Sequence, residues 1–526
     1  MTEIPRSDHC ISDDCGMSKA HGLMWTILYL LVVVIGLGLR SQALSTVDCT
    51  FDECSSWRTI NFAWAPMLDS IRRNVHPPIF YVGLKCWAFL FGDGVAALRW
   101  FAVVCGLLTL PAAAMFVKMW LSGRENHRSC EITFWTLLVM ATNPLHVELC
   151  LQARMYSLGI LFSLIAAILL LSVLQSGGRA WEWMAFAITI NLMMLTHYFC
   201  ILTAGALGLV LVTSVVIEAS RVGFSARNRR LLVGSSACLW VTAIIWRAWL
   251  PTFRSQWDQV EADYWIPPIT RIELFTTVTK TLTHQSVTLP TSFGVVLLAV
   301  VLCVAILVGW NCGIAGRIAA ACVLIPWLLV VGKGLSGQSL TVARYLSFAQ
   351  AFTLLSIVML AASIASPLWR RMLIVLLLGW NVGWNIDYST QRSQKARDAV
   401  YQPFAELLHD WQDDEVPVVV SSPQTCIVIK RYSEFPENVF VVDHGYAYAH
   451  YSGGPLLLES DYIRVENLPE TTKELIAIEF AQGQVNVLDD WRPTKTVEFK
   501  SETRPNVSLT VRHYVREINQ EKVTPQ

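Results

Sequence analysis

Ser45-Thr-Val-Asp-Cys-Thr-Phe-Asp-Glu-Cys-Ser-Ser-Trp57, followed in the same loop by His76-Pro77-Pro78, is the stretch that decides how this chain is read. It comes directly after the first apolar run of membrane length, Gly22 to Leu39. At about 1.5 Å per helical residue such a run crosses most of a hydrocarbon core of roughly 30 Å. The stretch therefore sets two adjacent carboxylates, Asp52 and Glu53, in the first polar loop beyond the bilayer.

The composition agrees with a membrane setting. Of 526 residues, 54% are hydrophobic and only 15% charged, with 21 Trp and 22 Phe, which is far from a soluble average. The formal net charge is zero, so what matters is where the positive charges fall relative to the apolar runs, and no nucleic-acid partner is expected. Most of the 14 cysteines, such as Cys105, Cys200, Cys238, Cys303 and Cys322, lie inside apolar runs and read as small hydrophobes. Cys10 and Cys15 lack the further ligand spacing of a zinc site. Cys49 and Cys54 bracket the acidic pair, and both a short disulfide and two free thiols stand open.

Residues 1–21 form a polar tail without a signal-peptide cleavage pattern, expected on the cytoplasmic side. Eleven spans are expected in all: Gly22–Leu39, Ala96–Phe116, Ile132–Leu145, Tyr156–Leu174, Trp181–Leu195, Ile201–Ile217, Leu231–Leu250, Phe293–Trp310, Ile314–Val331, Tyr345–Ala362 and Met372–Trp384. Residues 78–92 are short, follow a double proline and carry Lys85, and are read as a juxtamembrane helix. With that helix uncounted, the basic loops Arg221–Arg230 and Pro367–Arg371 both fall inside, as the positive-inside tendency requires. The loop Pro251–Pro290 alternates aromatic and charged residues from Arg254 to Trp265 and reads as a surface helix or lid. Residues 386–526 change character. Short β-rich runs (Val416–Val420, Val439–Val442, Leu475–Ile478, Val507–Val511) and the helix-like Pro403–Trp411 predict a soluble α/β domain of about 140 residues, placed outside by the odd span count. The fold class is thus a polytopic α-helical membrane protein, with residues 22–385 as the membrane domain and a C-terminal soluble α/β domain.

Sorted by side, the outer span ends gather the polar chemistry. The first loop supplies Asp52, Glu53 and His76; Asn143-Pro-Leu-His-Val-Glu-Leu-Cys-Leu-Gln-Ala-Arg-Met-Tyr156 supplies His146, Glu148, Gln152, Arg154 and Tyr156; His197-Tyr198 and Arg344-Tyr345 follow. Carboxylates beside cations at a membrane face suit a reaction in which a base deprotonates a hydroxyl while Arg and His hold a departing phosphate. Plainer readings stand beside this one. Asp and Glu are favoured in a first helical turn, a residue before proline is pushed into extended backbone, and basic side chains at span ends snorkel to headgroups. Lys85 and Arg99 read as interface anchors with a lipid-phosphate option, and His197 as a hydrogen bond between span ends.

The ordered set resembles a known family. An acidic pair after span one, His76-Pro77-Pro78-Ile-Phe-Tyr81 leading to Phe91-Gly92, Ala97-Leu98-Arg99, Gln152-Ala-Arg154-Met-Tyr156, His197-Tyr198 and Ala343-Arg344-Tyr345 resemble the bacterial GT-C membrane glycosyltransferases. These include the protein O-mannosyltransferases and the lipid A aminoarabinose transferases, and the likeness covers roughly residues 22–360. The resemblance implies inverting transfer of a monosaccharide, hexosyl or pentosyl, from a polyprenyl-phosphate donor to an acceptor hydroxyl of a lipid, glycan or protein, on the outer face of a bacterial cell membrane. It implies Asp52 or Glu53 as the catalytic acidic residue, an outer-loop carboxylate acting as general base. His76, Arg154, Tyr156, Arg344, Glu148 and His197 are the candidates for donor-phosphate, lipid or acceptor binding, with Glu148 the one carboxylate available for a second acidic site. A carboxylate with open positions can hold Mg²⁺ or Mn²⁺, although the resemblance does not require a metal. A secondary transporter, or a ligase or polymerase of lipid-linked glycans, is the alternative. Against the transporter stand the charges at span ends, since transporter sites lie near the midplane.

Overall fold

The computed structural model describes residues 12–122, 126–223, 225–262, 264, 266, 268–443, 445, 448, 452–480, 485, 490–502 and 508–517. Arg6 and Cys10 of the tail, Asp263 and Trp265 of the expected surface helix, and Asn506 of an Asn506-Val-Ser508 glycosylation sequon lie outside the described residues.

The helices run in order as α1 (Ser12–Arg40), α2 (Phe51–Asn61), α3 (Trp64–Arg73), α4 (Ile79–Phe91), α5 (Val95–Trp120), α6 (Asn126–Thr142), α7 (Pro144–Cys150), α8 (Tyr156–Ser176), α9 (Ala180–Met194), α10 (Cys200–Val222), α11 (Ala226–Ala262), α12 (Arg271–Leu282), α13 (Thr291–Asn311), α14 (Gly313–Leu335), α15 (Ser347–Ser363), α16 (Pro367–Arg397), α17 (Tyr401–Trp411) and α18 (Pro423–Tyr432). Among the described residues eight stretches are long and apolar enough to cross a membrane: α1, α5, α8, α10, α11, α13, α14 and Ala343–Ser363, which contains α15. This is an integral multi-pass membrane protein. The other three expected spans fall in α6 and α9, with 17 and 15 residues, and in α16, whose second half is polar. α8 and α15 are almost wholly buried in the bundle, whereas α1, α11 and α13 present most of their surface outward.

Three helices, α2 to α4, fill the first loop. The apolar residues 78–92 form the separate helix α4, whose Lys85 caps the end of α2 by donating to the carbonyls of Ile60 (2.5 Å) and Phe62 (2.7 Å). Lys85 therefore serves as an internal cap rather than an interface anchor. The surface helix expected after Pro251 is the continuation of α11. It packs back on the first loop, with Gln256 donating to the Ile71 carbonyl (2.7 Å) and accepting from the Tyr198 hydroxyl.

α16 likewise runs past residue 385, so the soluble fold begins at α17. Arg392 of α16 donates to the carbonyls of Gln42 (2.8 Å) and Ala43 (3.1 Å), which follow α1. α1 and α16 thus end on the same side, and the soluble domain lies against the first loop. Its six-stranded sheet has the order β3-β2-β1-β4-β6-β5. The strands are β1 (Val418–Val420), β2 (Val439–Val442), β3 (Tyr462–Ile463), β4 (Glu474–Phe480), β5 (Trp491–Lys500) and β6 (Ser508–Arg516). β3, β2, β1 and β4 are parallel, and the β4–β6–β5 ribbon is antiparallel. β5 escapes a hydrophobic-run reading because it is a largely exposed edge strand carrying Lys, Arg and Pro493, which is how sheets protect an open edge.

The domain and the loop share one apolar core. Cys49 and Cys54 pack with Val418, Ile427 and Leu456, and both cysteines are free thiols. One ionic contact crosses the joint, Arg58 to Asp461 (2.8 Å), and Lys430 of the domain holds the same carboxylate (3.0 Å). Gly453, at φ +92°, allows the close approach, since a Cβ there would stand 2.6 Å from Ile427 and 3.1 Å from Phe51.

Candidate active site

Thr50 sets the geometry of the acidic pair. Its hydroxyl accepts from the Glu53 N–H (3.3 Å), and Glu53 returns through Oε2 to the Thr50 N–H (3.1 Å), closing a capping box at the start of α2. Consecutive residues in a first turn point about 100° apart, so a capping Glu53 sends Asp52 to a different face.

Glu53 faces inward. Arg99 grips it in a fork, Nε to Oε1 at 2.7 Å and Nη2 to Oε2 at 2.8 Å, and the Ala153 N–H donates to Oε1 at 3.0 Å. Arg99 spends its other N–H groups on the carbonyls of Leu44 (2.7 Å), Val47 (2.9 Å) and Asp48 (3.0 Å). The pair is almost wholly inaccessible, at 1% and 2% exposure. Burial pushes the Glu53 carboxyl up, but the Arg99 charge and the hydrogen bonds outweigh it and hold the group down at about 2. Arg99 is thus a buried structural partner rather than an interface anchor. The Thr50-x-x-Glu53 spacing is the sequence signal that discloses the capping role and separates Glu53 from Asp52 within the acidic pair.

Asp52 faces outward into a cluster of cations and aromatic rings. Its Oδ2 pairs with Arg344 Nη1 at 3.2 Å, and the Asp52 side chain keeps 38% of its exposure. Arg154, buried, donates through Nη1 to the Asp52 carbonyl (3.0 Å) and to Ser56 Oγ (3.3 Å), and through Nη2 to His76 Nε2 (3.0 Å). A guanidinium cannot accept, so in this contact His76 Nε2 is the acceptor. The His76 and His197 rings stand 6.0 Å apart, and His197 also lies against Tyr156 (5.6 Å) and Tyr345 (5.8 Å). Tyr345 stacks on Phe199 at 4.3 Å. Burial, with Arg154 and Arg344 adding to it, pushes the His197 imidazole down to about 3, so it is neutral at physiological pH. The structure therefore brings together Asp52, His76, Arg154, Tyr156, His197 and Arg344.

Arg154 Nε, Arg344 Nε and His197 Nε2 are all buried without a hydrogen-bond partner among the described residues. All three belong to residues gathered around the half-open Asp52 carboxylate, and a buried polar group without a partner is open to one brought by a ligand. Two guanidiniums suit the oxygens of a phosphate. The Asp52 carboxylate already pairs with Arg344, and among the described residues no three His, Cys, Asp or Glu side chains gather as metal ligands.

Glu148 sits elsewhere. It is buried, accepts from the Gln285 N–H at 2.8 Å, and has Lys395 and Arg392 of α16 as its nearby charges. Burial raises its carboxyl above the ordinary range. His146 joins α7 to α1 and α5, through Arg40 Nη2 (2.7 Å) and Thr109 Oγ1 (3.1 Å). Neither residue has a contact in the Asp52 cluster among those described.

No family model and no curated protein matches this chain. Solved structures do. ArnT from Cupriavidus metallidurans, a lipid A aminoarabinose transferase, aligns in its undecaprenyl-phosphate complex over 95% of this chain and 99% of its own, at 11% identity and a TM-score of 0.56. Its apo form aligns over 94% and 98%, at 12% identity and a TM-score of 0.59. The oligosaccharyltransferase of Archaeoglobus fulgidus aligns more loosely, over 86% of this chain and 67% of its own, at 10% identity and a TM-score of 0.48. With bundle, soluble domain and their order matched end to end to ArnT, the chain has the GT-C type fold.

Proposed function

We propose that this protein is a glycosyltransferase that moves a monosaccharide from a polyprenyl-phosphate donor to an acceptor hydroxyl on the outer face of the membrane. The observation that carries the reading is Asp52, a half-open carboxylate set against two arginines whose Nε groups are buried and unspent. The crystal structure of ArnT, which shares the fold, holds undecaprenyl phosphate, and this supports a lipid phosphate as the group that the arginines await.

The chemistry follows from charge and position. Arg154 and Arg344 bind the donor phosphate and stabilise the negative charge that it gains as the sugar departs. Asp52 accepts the proton of the acceptor hydroxyl, whose oxygen attacks the anomeric carbon from the face opposite the phosphate. The bond from that carbon to the phosphate oxygen breaks as the new glycosidic bond forms, so the configuration inverts. No acid is required at the leaving group, because a phosphate departs as a stable anion. His197 remains neutral and is held in an aromatic packing of Tyr156, Tyr345 and Phe199 beside Arg154 and Arg344. Glu53 holds α2 in place and takes no proton.

The test is consumption of radiolabelled polyprenyl-phosphate hexose or pentose by the purified protein, wild type against Asp52→Asn. Release or transfer that disappears in a folded Asp52→Asn variant supports the reading. Absence of turnover with every such donor sinks it.

A further inference from the structure

At the opposite ends of α9 and α11 from the site lies a groove of about 990 Å³. That is at the upper end of the roughly 300–1,000 Å³ of pockets that hold small molecules. Its floor is Trp183, and glycine backbone makes room for it: a Cβ on Gly178 would stand 2.3 Å from the indole Nε1, and one on Gly234 2.1 Å from Cε2. Gly178 also has φ +75°, which turns the chain into α9. The walls are apolar and outward-facing, with Met184, Ile188, Val233 and Val241 at 62%, 50%, 70% and 41% exposure.

The rim is different. Arg229 and Arg230 line the same groove and are exposed. Among the described residues neither guanidinium has a hydrogen-bond or ion-pair partner, although their neighbour Arg227 pairs with Glu218 at 3.1 Å and donates to the Leu174 carbonyl. Two unspent guanidiniums at one end of a membrane-facing apolar groove match one shape, an anionic headgroup with a hydrocarbon tail. A soluble anion would explain the arginines but leave the apolar walls without an occupant, and a zwitterionic lipid would leave the charge unmatched.

We infer that the groove between α9 and α11 binds one anionic glycerophospholipid, with Arg229 and Arg230 on its phosphate and an acyl chain along Trp183, Ile188, Val233 and Val241. The lipid is a structural ligand, independent of the proposed transfer reaction. It wedges the ends of two helices whose other ends meet where Trp249 Nε1 donates to the Tyr198 hydroxyl at 2.9 Å.

The test is native mass spectrometry of the full-length protein in detergent with phosphatidylglycerol or phosphatidylcholine of the same chains, alongside melting temperature. One phosphatidylglycerol should be retained and should raise the melting temperature. Affinity should fall about tenfold or more in Arg229→Gln/Arg230→Gln, and also in Ala237→Trp, which fills the groove from an exposed position. Equal retention of phosphatidylcholine, an equal gain from inorganic phosphate, or unchanged binding in either variant would each overturn the inference.

Discussion

Asp52 and Glu53 are neighbours in the chain and live in opposite surroundings. Glu53 accepts from Arg99, Thr50 and Ala153, so both its oxygens are occupied and it is sealed. Asp52 makes one ion pair and keeps more than a third of its side chain open. A carboxylate that has already spent its lone pairs is part of the scaffold, while one that has not is free to take a proton. The contrast extends to the cations: Arg99 is saturated, whereas Arg154 and Arg344 each keep an unpartnered Nε.

The largest effect should come from the open member. Asp52→Asn removes the base and is expected to slow transfer by roughly 10²–10⁴-fold with melting temperature unchanged. A rate within threefold of wild type would remove Asp52 from the reaction. Glu53→Gln should do the reverse, reducing stability by roughly 3–5 kcal/mol because it strands the buried Arg99 charge. The double variant Glu53→Gln/Arg99→Met should regain much of that loss; if the single variant folds as stably as wild type, the sealed pair is not structural.

Acid should act on the same contrast. Glu53 is held at about 2 against an ordinary 4.5, so its stabilisation is complete above pH 4.5 and is lost as pH falls toward 2, a change of roughly 3 kcal/mol. His197, pushed from 6.5 to about 3, adds in the same direction, because the fold excludes its charged form as pH falls below 6.5. A melting temperature in detergent that stays flat from pH 6.5 to 3 would contradict both. The smallest effect belongs to Glu148→Gln. Its carboxyl is raised by burial and its partners lie on α16 and the loop after α12, so we expect a rate change below about threefold. A loss comparable to that of Asp52→Asn would bring Glu148 back into the site.

Much of this was legible in residue order alone. Apolar runs placed the helices of the bundle, and the separation of residues 78–92 from the spans followed from their double proline, Lys85 and short length. Strands β1, β2, β4 and β6 showed as apolar runs, and β5 did not, since an exposed edge strand has no core to face. Arg154, Arg344, His76 and Tyr156 stood out as residue types suited to a phosphate, and they do meet around Asp52. Glu148 and Arg99 have their contacts elsewhere, with Gln285 and with Glu53, and side of membrane was the only proximity that a linear reading could supply.

The sequence by itself determined the membrane setting, the order of elements and the local capping box, all of which depend on neighbours within a few turns. Which carboxylate stays open was decided by the tertiary structure. Glu53 is closed by Arg99, 46 positions away, and by Ala153, 100 away, while Asp52 meets Arg344 across 292. Such contacts exist only after the bundle has packed, since burial and charge pairing depend on distance in space rather than along the chain.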